Sequence, residues 1–143
     1  IIRLFLTYGP GQKKDRFIPE IIQKCLKNKK FATGSGQQIR DFCYIDDTIS
    51  AIFLALISNK TKGETYNVAS GVPVKIKTII NLISKIVAQG KPEFNKLKIR
   101  DSGNKKLYAD IKKIKKMLKW KPRTNLNDGL KKTIRFFKEN ANQ

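Results

Sequence analysis

The chain has 143 residues and a formal net charge of +20, from 31 Lys and Arg against 11 Asp and Glu. Hydrophobic residues make up 40% of it, which is enough for a core and excludes an intrinsically disordered chain. It has no histidine, which excludes histidine-based nucleophilic triads and His-ligated metals. Any acid or base must therefore be Asp, Glu, Lys, Tyr or Cys.

The first third of the chain predicts alternating strands and one helix. Residues 1–6 form an apolar run typical of a buried strand, and a turn cluster follows at residues 8–11. Apolar residues at helical spacing predict a helix over residues 17–26. Two short strands are predicted at residues 30–33 and 38–45.

The middle of the chain predicts two helices separated by a strand. Asp46 and Asp47 offer N-cap chemistry for an apolar helix over residues 48–58. Residues 64–69 alternate as a strand, and residues 76–87 have the spacing of a strongly amphipathic helix. This order of strands and helices is typical of an α/β protein.

The last part of the chain predicts an extended piece and two helices. The extended piece ends near Arg100, and Asp110 is predicted to cap a lysine-rich helix that runs to residue 118. Asn125 and Asp128 resemble a capping box that opens a final helix to residue 139. Because several strands are short, we expect an α/β fold with an irregular α+β portion.

The excess positive charge admits two interpretations. Lys and Arg neutralise phosphates, so a basic nucleic-acid-binding domain is one function consistent with the composition. However, 25 of the 31 basic residues are lysines spread along the chain, which is more typical of a solvated surface without a specific nucleic-acid partner. We keep the nucleic-acid-binding domain as the alternative.

Two further features suggest the compartment. No run approaches 18 apolar residues, so the sequence predicts no membrane span. Cys25 and Cys43 lie in apolar surroundings without a Cys-x-x-Cys motif, which favours reduced, buried thiols over a metal site or a disulfide. We expect a cytoplasmic protein.

The short motifs give one candidate binding residue and no cofactor cradle. No Gly-x-Gly-x-x-Gly is present, so the sequence lacks the usual dinucleotide fingerprint. Tyr108 and Lys112 have Tyr-x-x-x-Lys spacing, but Asp110 is the expected helix cap, which would leave Tyr108 outside the helix and argues against catalysis. Arg40 lies between apolar residues and needs an anionic partner. That partner is either a diphosphate or an internal carboxylate, with Asp41, Asp46 and Asp47 as the candidates.

Six motifs in order resemble the C-terminal half of the NAD-dependent epimerase/dehydratase family, the extended short-chain dehydrogenases/reductases that act on nucleotide sugars. The motifs are Tyr8-Gly9-Pro10-Gly11-Gln12 after a strand, Arg16-Phe17-Ile18-Pro19, Arg40-Asp41-Phe42 before Asp46-Asp47, Tyr66-Asn67 before Ser70-Gly71, Tyr108 to Asp110, and Trp120 with Pro122 before Gly129. The resemblance implies the terminal strands of a Rossmann sheet plus a small α+β substrate-binding domain.

The same resemblance implies what the chain does and what it lacks. We expect residues 1–143 to be the nucleotide-sugar-binding portion, with the N-terminal Rossmann half absent from this chain. That half would carry the NAD or NADP loop and the catalytic Tyr-x-x-x-Lys, so we expect this chain alone to be inactive. The family also implies a homodimer for the full enzyme. It would oxidise the sugar by hydride transfer and then epimerise, dehydrate or reduce it.

Matching the family's motifs position by position gives candidate substrate-binding residues. Arg40 and Arg100 match arginines that contact the substrate phosphates, and Asn67 matches an asparagine near the nucleotide. The remaining candidates are Arg16 and Phe17, in the loop that closes over the nucleotide, and Phe31 and Thr33, in the strand that lines the base. One position departs from the pattern, because Leu6 stands where many members have a substrate-contacting Asn.

Overall fold

The computed structural model describes residues 1–97 and 104–140 and has the predicted α/β fold. Its strands are β1 (Ile2–Leu4), β2 (Leu6–Tyr8), β3 (Lys30–Ala32), β4 (Ile39–Tyr44), β5 (Tyr66–Val68), β6 (Pro73–Lys75), β7 (Lys91–Glu93) and β8 (Lys106–Leu107). Its helices are α1 (Phe17–Leu26), α2 (Ile45–Ile57), α3 (Ile76–Val87), α4 (Lys112–Leu118) and α5 (Leu126–Glu139), with a 3₁₀ turn at Asn59–Thr61.

The first extended segment divides between two sheets. Strand β1 pairs in parallel with β5, with Arg3 opposite Asn67, whereas β2 pairs in parallel with β4, with Thr7 opposite Cys43. The change of partner occurs at Phe5, whose N–H donates to the carbonyl of Val68 at 3.1 Å. The single strand predicted over residues 1–6 is therefore two short strands that link the two sheets.

Strand β4 organises the second sheet. Its first half pairs antiparallel with β6 and parallel with β8, while its second half pairs with β2. The buried carboxylate of Asp41 accepts hydrogen bonds from the backbone N–H of Ser70 (2.8 Å) and Gly71 (2.9 Å), and from the Ser70 hydroxyl. These bonds fix the turn before β6, a strand that the sequence analysis did not predict.

Two hydrophobic clusters form the core. In the first, helices α1, α3 and α5 pack together against β2 and β4, with Ile22, Ile79, Ile83 and Leu130 fully buried. In the second, the inner face of α2 packs with β5 and α4. The amphipathic patterns in residues 17–26 and 76–87 correctly predict the helix faces buried in the first cluster.

The predicted helix caps have different outcomes. Asn125 accepts from the N–H of Asp128 at 3.0 Å, which confirms this cap. The cap predicted for Asp110 is wrong by one residue, because Ile111 is the N-cap of α4, although Asp110 still accepts from the N–H of Lys112 at 2.7 Å. The N-cap role predicted for Asp46 and Asp47 is wrong, because α2 already begins at Ile45. The aspartates lie in its first turn, where their negative charge interacts favourably with the helix dipole.

The buried carboxylate of Asp47 instead holds a distant loop. It accepts from the backbone N–H groups of Arg123 and Thr124, both at 2.9 Å, just before α5 begins. The loop that follows Trp120 is thereby fixed against the start of α2. Across residues 1–97 and 104–140, no helix combines the length and apolarity that crossing a membrane requires.

Candidate functional site

A cavity of about 820 Å³ opens beside β2 and the loop that connects it to α1. Its volume is within the range of small-molecule sites. Lys13, Arg16 and Arg40 contribute to its lining, and none of the described lining residues carries a carboxylate. A concave surface with three cations and no carboxylate among its described lining residues favours an anionic ligand.

Arg40 reaches this cavity from β4. It is half-buried, and its Nη1 donates to the carbonyl of Ile39 at 2.8 Å. Among the described residues it forms no ion pair, because the carboxylates of Asp41 and Asp47 bind backbone N–H groups elsewhere. The hypothesis that Arg40 pairs with one of these neighbouring aspartates or with the exposed Asp46 is therefore wrong. The guanidinium retains donors that suit a phosphate.

The loop before α1 brings two more predicted residues to the cavity. Arg16 lies at the N-cap position of α1 and is exposed, and Phe17 begins the helix. The Phe17 ring packs against Phe42 of β4 with ring centroids 6.0 Å apart. The same cavity is therefore lined by basic groups, which suit a phosphate, and by aromatic side chains, which suit the ring of a ligand.

Two cavity residues were missed as site candidates. Gln12 donates through Nε2 to the carbonyl of Thr7 at 2.9 Å, while its buried Oε1 has no hydrogen-bond partner among the described groups. Lys13 lines the cavity beside it. Both follow the turn at residues 8–11. Their position directly after this turn was the sequence signal that could have identified them as cavity residues.

The turn itself depends on close packing. A Cβ at Gly9 would overlap Cγ2 of Ile45, so only glycine lets the loop approach the start of α2 this closely. Tyr8, immediately before it, is buried, and burial is the main cause that raises the pKa of its phenol, with smaller contributions from Cys43 and Tyr44. Tyr8 therefore stays protonated and serves in packing rather than as an acid or base.

Phe31 and Thr33 lie apart from this cavity. Phe31 is buried in the first hydrophobic cluster, and Thr33 is buried against β7, where its backbone N–H donates to the carbonyl of Glu93 at 2.9 Å. Neither belongs to the cavity lining. Their assignment to the base of a nucleotide stays a prediction.

Asn67 does not line the cavity either. Asn67 lies on β5, and its Nδ2 donates to the carbonyl of Asp110 at 3.2 Å, which links β5 to the start of α4. Arg100 lies outside the described residues. Leu6, the departure from the family pattern, does line the cavity and is 42% exposed, so it presents an apolar surface there.

Tyr108 and Lys112 do not form a helical pair. Helix α4 begins at Lys112, and Tyr108 precedes it with 52% of its surface exposed. Cys25 and Cys43 are free and buried, and burial raises the pKa of each thiol to about 11, so both remain protonated at neutral pH. The described part of the chain thus contains no activated nucleophile among these groups.

A protein-family model described as GDP-mannose 4,6 dehydratase matches residues 1–133. The chain belongs to this family. A curated member of similar sequence is UDP-glucuronate 4-epimerase of Thermodesulfobacterium geofontis, 34% identical over 143 residues. The match covers 98% of this chain and 43% of the epimerase. dTDP-glucose 4,6-dehydratase of Escherichia coli is 30% identical over 144 residues, covering 95% of this chain and 40% of that enzyme.

Solved structures of family members agree with this assignment. UDP-glucuronic acid 4-epimerase from Bacillus cereus, solved with UDP-glucuronic acid and NAD, is 33% identical with a TM-score of 0.87. The match covers 96% of this chain and 44% of that protein. The chain therefore has the fold of the C-terminal portion of extended short-chain dehydrogenases/reductases and spans less than half their length.

Proposed function

We propose that this chain is the nucleotide-sugar-binding portion of an NAD- or NADP-dependent epimerase, dehydratase or ketoreductase. The observation that carries the proposal is the cavity at β2. Lys13, Arg16 and Arg40 all line it, and no described lining residue carries a carboxylate. The relatives support the ligand class, since the Bacillus cereus epimerase was solved with UDP-glucuronic acid.

The proposed role of the basic groups is to bind the diphosphate. Guanidinium groups of Arg16 and Arg40 would form charge-assisted hydrogen bonds to its oxygens, and the ammonium of Lys13 would add a third positive charge. The apolar wall at Phe17 would exclude water from these contacts. Such anchoring holds the sugar in one orientation, which is the contribution a binding portion makes to catalysis.

We assign the cofactor to the part of the enzyme outside this chain. The sequence lacks a Gly-x-Gly-x-x-Gly, the usual fingerprint of a dinucleotide-binding turn. The bound cofactor would supply reversible hydride acceptance, and the same missing half would carry the Tyr-x-x-x-Lys acid–base pair. The proposal includes a cytoplasmic, homodimeric full enzyme.

The chain alone is therefore expected to turn over no nucleotide sugar. The measurement is product formation from UDP-glucuronic acid, UDP-glucose and dTDP-glucose with added NAD. Conversion of any of these by the purified chain would contradict the assignment of catalysis to the missing half.

Ligand binding tests the role of the cavity. Arg40→Met keeps most of the apolar stem and removes the charge, so it should weaken UDP-glucuronic acid binding about 10- to 100-fold, the effect of losing a charge-assisted hydrogen bond. Isothermal titration calorimetry measures the change. Arg135→Met, at an exposed position on α5, is the matched control and should leave the affinity unchanged. Equal loss in the two variants would indicate nonspecific charge attraction.

A further inference from the structure

Two exposed leucines line the cavity beside β2 together with its basic groups. Leu4 and Leu6 have 50% and 42% of their surfaces exposed, and both contribute to the cavity lining. A single exposed leucine on an outer surface is ordinary, but two that line one concave surface give a bound molecule an apolar contact. The cavity therefore offers a ligand apolar contacts in addition to positive charge.

The strand register places Leu6 near Arg40. In the parallel pair of β2 and β4, Leu6 lies opposite Phe42, and Arg40 precedes Phe42 by two residues on β4. Side chains two residues apart on a strand share a face, so Arg40 lies diagonally across from Leu6, roughly 7 Å further along the strand direction. Tyr8, two residues after Leu6, packs edge-on against Phe42 with ring centroids 6.3 Å apart, as expected on a shared face. A phosphate bound by Arg40 would therefore bring the group attached to it towards Leu6.

The polar side chains around Leu6 already have partners. The Thr7 hydroxyl lies 3.2 Å from the hydroxyl of Thr48 on α2, and the Tyr8 hydroxyl donates to a backbone carbonyl at 3.4 Å. Nε2 of Gln12 donates to the carbonyl of Thr7 at 2.9 Å, and its Oε1 is buried. A sugar hydroxyl placed on Leu6 would therefore lose its water without gaining a hydrogen bond to these side chains, which lowers affinity.

We infer that Leu6 makes the cavity prefer nucleotide sugars with a deoxygenated carbon, a CH₂ or CH₃ group, where the sugar meets β2. This inference rests on the proposed function, because Arg40 must hold the diphosphate for the sugar to reach Leu6. An apolar carbon gains from burial against leucine, whereas a hydroxyl at the same place is desolvated without a partner. An apolar pocket discriminates against an added hydroxyl by about 10- to 100-fold, and we expect a preference of this size.

Binding of matched sugars measures the preference. UDP-glucose and its 2-, 3-, 4- and 6-deoxy analogues differ only in one hydroxyl, so the base, the diphosphate and the charge stay constant. Isothermal titration calorimetry with the 143-residue chain should find at least one analogue that binds about 10- to 100-fold more tightly than UDP-glucose. A gain below about fivefold for every analogue would overturn the inference.

Substitutions test whether Leu6 is the residue responsible. Leu6→Asn exchanges an apolar side chain for a polar one of similar shape and should reduce the preference to less than about twofold. Leu6→Met stays apolar and should keep it. Leu56→Asn, at a 78% exposed position on α2 outside the cavity, should keep it as well. Retention of the preference in Leu6→Asn, or its loss in Leu56→Asn, would contradict the role of Leu6. If circular dichroism shows that Leu6→Asn unfolds the chain, Leu6→Gln replaces it.

Nuclear Overhauser effects locate the contact directly. In the chain with labelled leucine methyl groups, the Leu6 methyls should show effects to the protons on the deoxygenated carbon of the tightest-binding analogue. Effects from Leu6 to the uracil ring instead would overturn the assignment of this residue to the sugar.

The titrations also separate this inference from the proposed function. If UDP-glucose binds and Arg40→Met weakens its binding, but no analogue gains affinity, the diphosphate site is supported and the role of Leu6 is contradicted. If neither UDP-glucose nor any analogue binds, the proposed function is contradicted, and the inference that depends on it is contradicted too.

Discussion

The hydrogen bonds of two buried aspartates explain why Arg40 has no ion pair with a neighbouring carboxylate. The carboxylate of Asp41 accepts hydrogen bonds from backbone N–H groups in the turn before β6. The carboxylate of Asp47 accepts them from backbone N–H groups in the loop before α5. A buried carboxylate with good amide donors needs no cation, so Arg40 keeps its capacity for a ligand. The sequence could not distinguish these outcomes, because it placed three aspartates within seven residues of one arginine.

The structural role of Asp47 is testable by comparison with its neighbour. Asp47→Ala leaves the N–H groups of Arg123 and Thr124 without their acceptor in a half-buried loop, so we expect the free energy of unfolding to fall by about 1–3 kcal/mol. Asp46→Ala removes an exposed carboxylate from the same helical turn and should cost less than about 1 kcal/mol. Urea denaturation measures both, and equal losses would contradict the role given to Asp47.

At the scale of elements, helices were more predictable than strands. Helices α1 and α3 bury one face each, so their apolar spacing predicted them closely, whereas the capping box at Asn125 predicted the start of α5. Strands β6 and β8 have three and two residues and follow no periodicity, and they form because β4 offers them both edges. The division of residues 2–8 between two sheets likewise depends on partners far away in sequence.

The final helix offers a test of its cap. Asn125 accepts from the N–H of Asp128 at 3.0 Å and donates through Nδ2 to the Asp128 carboxylate at 2.7 Å. Asn125→Ala should lower the free energy of unfolding by about 0.5–2 kcal/mol. Asn127→Ala, two residues later and exposed, should change it by less than about 0.5 kcal/mol. Thermal unfolding followed by circular dichroism provides the comparison, and a reversed order would exclude the cap as a stabilising element.

For the whole molecule, the structure changes how the charge of +20 is interpreted. Most of the charge is lysine distributed over the surface, but three basic residues converge on one cavity and α2 has none. Composition alone suggested a polyanion partner, and only the fold shows which cations share a cavity. Arg16, Phe17 and Arg40, which the family resemblance suggested as substrate-binding residues, all line this cavity, and their role in binding stays a prediction. The sequence analysis missed Gln12 and Lys13, which the turn after β2 brings to the same wall.

The site where a nucleotide diphosphate binds tests the central claim most directly. In the ¹⁵N-labelled chain titrated with UDP-glucuronic acid, the account predicts amide shift changes concentrated in residues 9–18 and at Arg40 and Phe42. The shifts should persist at physiological salt and vanish in Arg40→Met. Shift changes centred on the lysines of α4 and α5, disappearing as salt rises, would contradict the account and favour a general polyanion surface.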